Sequence, residues 1–332
     1  NMVRYENSPS SDFPKGRRST GCKRKSKKEE DNRDEYIFPV VIEKYWDGYQ
    51  LLIDDCKDQY ALPDIIQDNY DNIMEAHKYS RVFNQMNIRL DDYHIEDNKI
   101  ILHTSRTSYY HSLVTNRAMD YRWAANNSVR ELYSPGPFME KLRESNLSNH
   151  LGFNGLVETS DGKIIFILRS KEVSIGKDTL GTSVGASLKT KYALDDDGNL
   201  TWEGLERAIT SEIQDELKVC KNHYEFSLNK NIIAIYRDIV EGGKPQLLFY
   251  VKLKISSDAV KGEFYKSIKS SKKGKKDMSV DGKKLILVDK DDLSNIYITP
   301  ETIVIDNKVY RTMPSTAASV VMIINQIYNH KA

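Results

Sequence analysis

The chain has 332 residues, 39% of them hydrophobic, with 49 Lys and Arg against 48 Asp and Glu. That length allows one large or two modest domains with a core of their own, and a net charge of +1 excludes selection of nucleic acid or membrane by overall charge. Three cysteines, Cys22, Cys56 and Cys220, show no C-x-x-C spacing, which excludes a disulfide framework and a cysteine zinc site and leads us to expect a reducing, cytoplasmic compartment.

Residues 1–35 carry "SPSSDFPKGRRSTGCKRKSKKEEDNRDE", almost free of apolar side chains. Such a composition does not offset the entropy of ordering, so a mobile tail is predicted. Its basic cluster, Lys15 to Lys28, reads as solvated; anionic lipid or nucleic acid is the alternative use. Order is predicted to begin at "YIFPVVIEKYWDGYQLLID", read as a hairpin around Asp47-Gly48. A helix is predicted over "LPDIIQDNYDNIMEAHKYSRVFN", with Pro63 near its first turn. A hairpin at Asp97-Asn98, the segment "TSYYHSLVTNRAMDYRW" and a helix near "FMEKLRESNL" complete a small α+β unit, residues 36–145.

Residues 146–332 have a different rhythm. "GLVETSDGKIIFILRS" reads as a hairpin at Asp161-Gly162, "TWEGLERAITSEIQDELKV" as a helix, and "NIIAIYRDIVEGGKPQLLFYVKLKI" as a long hairpin around Gly242-Gly243. "KLILVDKDDLSNI" and "ETIVIDNKVY" supply further strands. "STAASVVMIINQIY" reads as a closing helix with a Ser or Thr cap. The longest apolar run, "ASVVMII", is much too short to span a bilayer, and no signal-peptide core follows Met2. Membrane attachment is therefore expected only through the basic tail or a segment upstream of Asn1. The predicted fold class is α+β, a mixed sheet between helices preceded by the smaller α+β unit.

The helix "AITSEIQDELKV" carries the chemistry. At about 100° per residue, Leu205, Ala208, Ile209, Ile213 and Val219 gather on one side, and Glu212 and Glu216 project into that same stripe. An unpaired buried charge is costly, so a partner is required. Carboxylates at i and i+4 share a face and suit divalent cations that prefer oxygen ligands.

With its preceding segment the helix resembles the Nudix box, G-x5-E-x7-R-E-U-x-E-E-x-G-U with U aliphatic. Glu203 falls on the first Glu, and Glu212, Ile213, Asp215, Glu216 and Val219 fill E, U, E, E and the last U. Ser211 replaces the arginine, Asp215 a glutamate and Lys218 the glycine. The opening glycine is Gly185 only if an insertion of about a dozen residues precedes the helix, and Ala186 stands where the box has a second glycine. Upstream, "LGFNGLVETSDGKIIFILRSKEV" is similar to the hairpin that precedes the box in the nucleotide-diphosphate-sugar branch of Nudix hydrolases, the UDP-glucose and GDP-mannose type. "SYYHSLVTN" stands where that branch has a Tyr-Arg-x-Phe-x-Gly-Thr-Asn-like segment, with Thr115 and Asn116 retained.

The resemblance implies a Nudix-type sheet between helices and a hydrolase of the diphosphate linkage in a nucleoside diphosphate joined to a small molecule, foremost a sugar. It implies Mg²⁺ or Mn²⁺ as cofactor, Glu212 and Glu216 as metal ligands, Glu203 and Asp215 as further catalytic carboxylates, and Thr115, Asn116 and Arg169 as candidate substrate contacts. A Nudix-fold binding module without turnover is the alternative, on account of Ser211, Ala186 and the insertion. Asp195 to Asp197 read as a solvated turn rather than a calcium loop, Lys272 to Lys276 as a surface loop with steering of an anionic substrate as the alternative, and Tyr109, Tyr110, Tyr121 and Trp123 as packing residues with stacking on a base as the alternative.

Overall fold

A computed structural model describes residues 2–6, 35–46, 48–80, 82–124, 127–169, 178–271 and 283–329. Strand β1 (Met2–Glu6) pairs antiparallel with β2 (Glu35–Tyr45). β3 (Gln50–Gln59), β4 (Met86–Glu96) and β5 (Lys99–Ser108) form a separate sheet in the order β3-β5-β4. The short helices α1 (Asp64–Asp68) and α2 (Tyr70–Met74) lie between β3 and β4, and α3 (Tyr109–Leu113) and α4 (Val129–Tyr133) follow β5.

β6 (Gly152–Glu158), β7 (Lys163–Leu168), β8 (Leu180–Gly181) and β9 (Val184–Ser187) lead through α5 (Thr190–Ala193) to the long helix α6 (Trp202–Leu217). Then come α7 (Leu228–Asn231), β10 (Ile232–Asp238), β11 (Lys244–Lys252), α8 (Ser257–Ser271) and β12 (Lys284–Asp289). A small meander, β13 (Tyr297–Ile298), β14 (Thr302–Ile305) and β15 (Lys308–Arg311), precedes α9 (Pro314–Asn329).

The large sheet runs β1-β2-β10-β11-β6-β7-β12, with β9 beside β6 and β8 beside β7. Its β11–β6 pair is parallel and its neighbours are antiparallel. Both faces are covered, and the sequence shows it. Leu247, Phe249 and Val251 of β11 pack with Leu205, Ile209 and Ile213 of α6, whereas Leu248 turns to the other face with Val320, Val321 and Ile324 of α9. Period-2 alternation between two buried faces yields the unbroken apolar runs of the strands. The architecture is thus α+β with mixed sheets, and among the described residues no helix is long and apolar enough to cross a membrane.

Several local expectations change. β2 and β3 are not a hairpin: β2 pairs with β1 and β10, and β3 pairs with β5 in the second sheet. The Asp-Gly signal is local, while partner choice follows burial: Phe38 and Val40 enter the core under α9, and Leu51 enters the core under α6. The grouping of residues 36–145 as one unit therefore places β2 with the second sheet, whereas it pairs into the large one. Met2–Glu6 is a strand rather than part of a tail, because Val3 buries beside Phe38; the basic cluster Lys15 to Lys28 lies outside the described residues.

The helix predicted after Pro63 breaks at Asn69, whose side chain donates to the Ile65 carbonyl. "FMEKLRESNL" gives only a 3-10 turn, Leu142–Glu144, since Glu140 accepts from the Asn146 backbone and amide and closes a loop instead. α8 escaped the sequence reading. α9 starts at Pro314, so Ser315 and Thr316 lie inside its first turn rather than capping it.

Candidate functional site

α6 begins where Thr201 Oγ1 accepts from the Gly204 amide at 3.1 Å, and it ends at Lys218 in the left-handed region, φ 59°. Between them the apolar stripe docks on the sheet and carries two carboxylates inward. Glu212 is 4% exposed and its Oε1 lies 2.5 Å from Lys189 Nζ. One turn on, Glu216 Oε2 lies 2.7 Å from Lys283 Nζ. The partner demanded by those inward charges is, in each case, a lysine.

Both carboxylates line a cleft of about 270 Å³. β9 supplies one wall through Gly185, Ala186 and Ser187, and the β10–β11 turn supplies another through Asp238, Glu241 and Lys244. Arg169 enters from the end of β7, Arg117 from the segment after α3, and Ser315 and Thr316 from the first turn of α9. A Cβ at Gly185 would stand 3.5 Å from Arg169 Nη2 and 2.8 Å from Asn154 Oδ1. A side chain there would crowd the Asn154 amide, whereas the guanidinium stands at ordinary contact distance.

The cleft is rich in cations without matched partners. Arg117 pairs with Glu241 at 3.3 Å, yet among the described residues its buried Nε has no hydrogen-bond partner. Lys244, with a side chain 3% exposed, has one close ion pair among the described residues, Glu241 at 3.9 Å. The half-buried Arg169 has no side-chain hydrogen bond or close ion pair among the described residues, and feels Glu216 only at longer range. The open end of α9 adds the positive pole of a 16-residue helix.

Burial moves the titrations in the directions such a cleft dictates. It raises Glu212 above the ordinary carboxylate range, with Lys189 opposing and Glu216 and Asp215 adding. It pushes Asp238 up to about 7, reinforced by Glu241 and opposed by Lys244. It pulls Lys244 down to about 8, with Glu241 and Asp238 opposing and Arg117 adding. Asp238 and Lys244 therefore both titrate near neutrality.

The expected site residues divide. Glu212, Glu216 and Arg169 share the cleft. Asp215 lies on its flank, half-buried, and accepts from the Tyr192 hydroxyl at 3.3 Å. Glu203 is exposed in the first turn of α6, nine residues before Glu212 and so about 13 Å away along the axis. Thr115 and Asn116 are buried in the fold's own bonding: Thr115 Oγ1 donates to the His111 carbonyl, and Asn116 donates to Asn149 and to the Glu241 carbonyl. Asn116 also borders a second cleft described below.

Lys189, Lys244, Asp238 and Arg117 were missed. "RDIVEGGKP" held a signal for two of them, since charges closing an otherwise apolar hairpin must be buried beside one another. Asp195 to Asp197 form the expected turn, with Asp195 accepting from the Asp197 and Asn199 amides; Lys272 to Lys276 lie outside the described residues.

Among the described residues no three His, Cys, Asp or Glu side chains converge as a metal cage. Mg²⁺ asks for less than such a cage, since it keeps several waters and takes one or two carboxylates together with substrate phosphates; Glu212 and Glu216 are the pair that would serve. A cation there would replace the lysine ammoniums.

No protein-family model matches the chain, and no curated protein matches it. Among solved structures it is similar to DR0079 from Deinococcus radiodurans, at 18% identity over 31% of this chain and 54% of that one, with a TM-score of 0.20. The chain thus spans about half the length of that protein. A likeness of this extent leaves fold and function to be argued from the residues themselves.

Proposed function

We propose that the chain is a Nudix-type hydrolase that cleaves the diphosphate linkage of a nucleoside diphosphate joined to another moiety, with nucleotide sugars as the leading class. One observation carries the reading: two inward carboxylates, one helical turn apart, line the same cleft as Arg169, Lys244 and the first turn of α9. Anion-binding groups beside an acidic pair are what hydrolysis of a charged diphosphate needs.

Glu212 and Glu216 would hold Mg²⁺ or Mn²⁺, which neutralises phosphoryl charge and acidifies a water when bound. Arg169 and Lys244 hold the diphosphate, and Ser315 and Thr316 present the α9 terminus to it. Asp238, buried and poised near neutrality, is the cleft's candidate general base.

A second reading, a nucleotide-binding module without turnover, has its own support. Lysines occupy both carboxylates, Glu203 stands outside the cleft, and Ser211 lacks the charge of the box arginine. The two readings separate on turnover. Nucleotide sugars, dinucleotides and nucleoside triphosphates are incubated with Mg²⁺ or Mn²⁺, and phosphate-bond cleavage is compared between wild type, Glu212→Gln and Glu216→Gln. Products formed by wild type and lost in both variants support the hydrolase. Binding without products from any compound leaves the module.

A further inference from the structure

A second cleft, of about 360 Å³, adjoins the charged one and shares Arg117, Glu241 and Met313 with it. Its remaining walls come from the segment between α2 and β4, from α3 and the residues after it, and from Val240 in the β10–β11 turn. The chemistry changes across the shared residues. On one side stand Arg169, Lys244 and the acidic pair; on the other stand Leu113, Met119, Tyr109 and Tyr121.

Arg117 forms the partition. Its guanidinium lies 6.0 Å from the centre of the Tyr109 ring and 3.3 Å from Glu241 Oε1. Among the described residues its buried Nε has no hydrogen-bond partner.

We propose that the second cleft receives the nucleoside base of the same ligand whose diphosphate lies in the charged cleft, so that its lining residues within 76–80 and 109–121 set base preference. The inference rests on the hydrolase or binding-module reading above and supplies the half of the ligand which that reading leaves without a site. Continuity selects the occupant: a group in the apolar cleft that is joined to a diphosphate in the charged one must be the ligand's planar or apolar end. Tyrosine rings and a thioether suit a flat aromatic face. Each cleft alone is at or below the size of an ordinary ligand pocket, and the two together accommodate a molecule with two unlike halves.

The test fills the second cleft from its rim. Val240 is 43% exposed and Ala76 is exposed, so Val240→Trp and Ala76→Trp add bulk without entering the core. Calorimetry measures affinity for ADP, CDP, GDP and UDP against inorganic pyrophosphate. Loss of a stacked base is expected to weaken binding about tenfold or more. Wild type should therefore prefer at least one nucleoside diphosphate to pyrophosphate by about that factor, and each tryptophan variant should erase the preference. Preference intact in both variants, or absent from wild type, overturns the base subsite while pyrophosphate binding leaves the charged cleft's role standing. Absence of binding to pyrophosphate and to every nucleotide overturns the reading of the charged cleft as well.

Discussion

The ammonium of Lys189 lies 2.5 Å from Glu212 Oε1, where a metal-binding carboxylate would otherwise meet a cation. Glu212 is buried and Lys189 is 23% exposed, so the pair is shielded on one side only. Removing the lysine leaves an uncompensated buried carboxylate. Lys189→Ala should therefore lower unfolding free energy by about 2–3 kcal/mol at neutral pH. Mn²⁺ should restore part of that loss in the variant, because a divalent cation can take the vacated position, and should do less for wild type. Urea unfolding with and without Mn²⁺ gives the comparison; a variant insensitive to Mn²⁺ would remove Glu212 from the metal ligands.

Much of this arrangement was legible in the sequence, and the parts that were not share a cause. Glu212 declared itself because a charge in the apolar stripe of one helix is a local pattern. The hairpins at Asp161-Gly162 and Gly242-Gly243 were equally local, with φ of 74° at Gly162 and 66° and 90° at the glycine pair. β2 failed because its turn signal is indifferent to which core Phe38 and Leu51 enter. Lys189 and Lys283 failed for a related reason. They approach α6 from separate loops, and nothing in a lysine's own neighbourhood announces a carboxylate 23 or 67 residues away.

Lys244 and Asp238 make ligand binding sensitive to pH. Lys244, pulled down to about 8, loses its charge as pH rises through that value, and Asp238, pushed up to about 7, gains a negative charge lower on the same scale. Both changes disfavour an anion. Pyrophosphate affinity should fall between pH 6 and 9 by about tenfold beyond the ligand's own ionisation, equivalent to about 1.4 kcal/mol. Lys244→Gln should bind more weakly at pH 6 with a flatter profile, and parallel profiles for the two proteins would deny Lys244 a contact. Stability follows the opposite groups differently. A raised Asp238 contributes stability that is present below the ordinary carboxylate range, about 4, and lost as pH rises through about 7. Asp238→Asn should flatten the fall in melting temperature over that window.

Asp55 and Arg106 lock the loop before α6 to the second sheet. Their side chains are 6% and 4% exposed, and Arg106 donates to both oxygens, Nη1 to Oδ1 at 2.8 Å and Nη2 to Oδ2 at 2.7 Å. The Leu200 amide also donates to Asp55, and Arg106 reaches the Gly198 carbonyl. Asp55→Ala strands a buried guanidinium and should cost about 3–5 kcal/mol, whereas Asp55→Leu with Arg106→Met should recover much of it. Burial alone would raise the Asp55 pKa, but the bonds from Arg106, Leu200 and Thr104 outweigh it and hold the pKa down. That contribution is present above the ordinary carboxylate range and lost as pH falls through the lowered value. Chemical unfolding should therefore show wild type and Asp55→Ala converging in acid; equal separation at every pH would refute the ion pair's role.

Gly204 sets how closely the carboxylate-bearing helix can approach its neighbour. In an open helix an alanine there would stabilise by about 1 kcal/mol. Here a Cβ would stand 1.9 Å from the Ala193 carbonyl oxygen, a backbone atom that cannot rotate aside. Arg207 adds a second tie by donating to the Tyr192 carbonyl at 3.0 Å, and α5 follows directly on Lys189. Forcing α5 and α6 apart thus strains the segment that carries the lysine to Glu212. Gly204→Ala should lose about 1–3 kcal/mol of stability, the usual consequence of overpacking, and should weaken the Lys189–Glu212 contact. Urea unfolding reads the first effect, and a stabilised variant would show that α6 is free to shift. For the second, Mn²⁺ should bind Gly204→Ala more tightly than wild type, since a displaced Lys189 competes less well for Glu212.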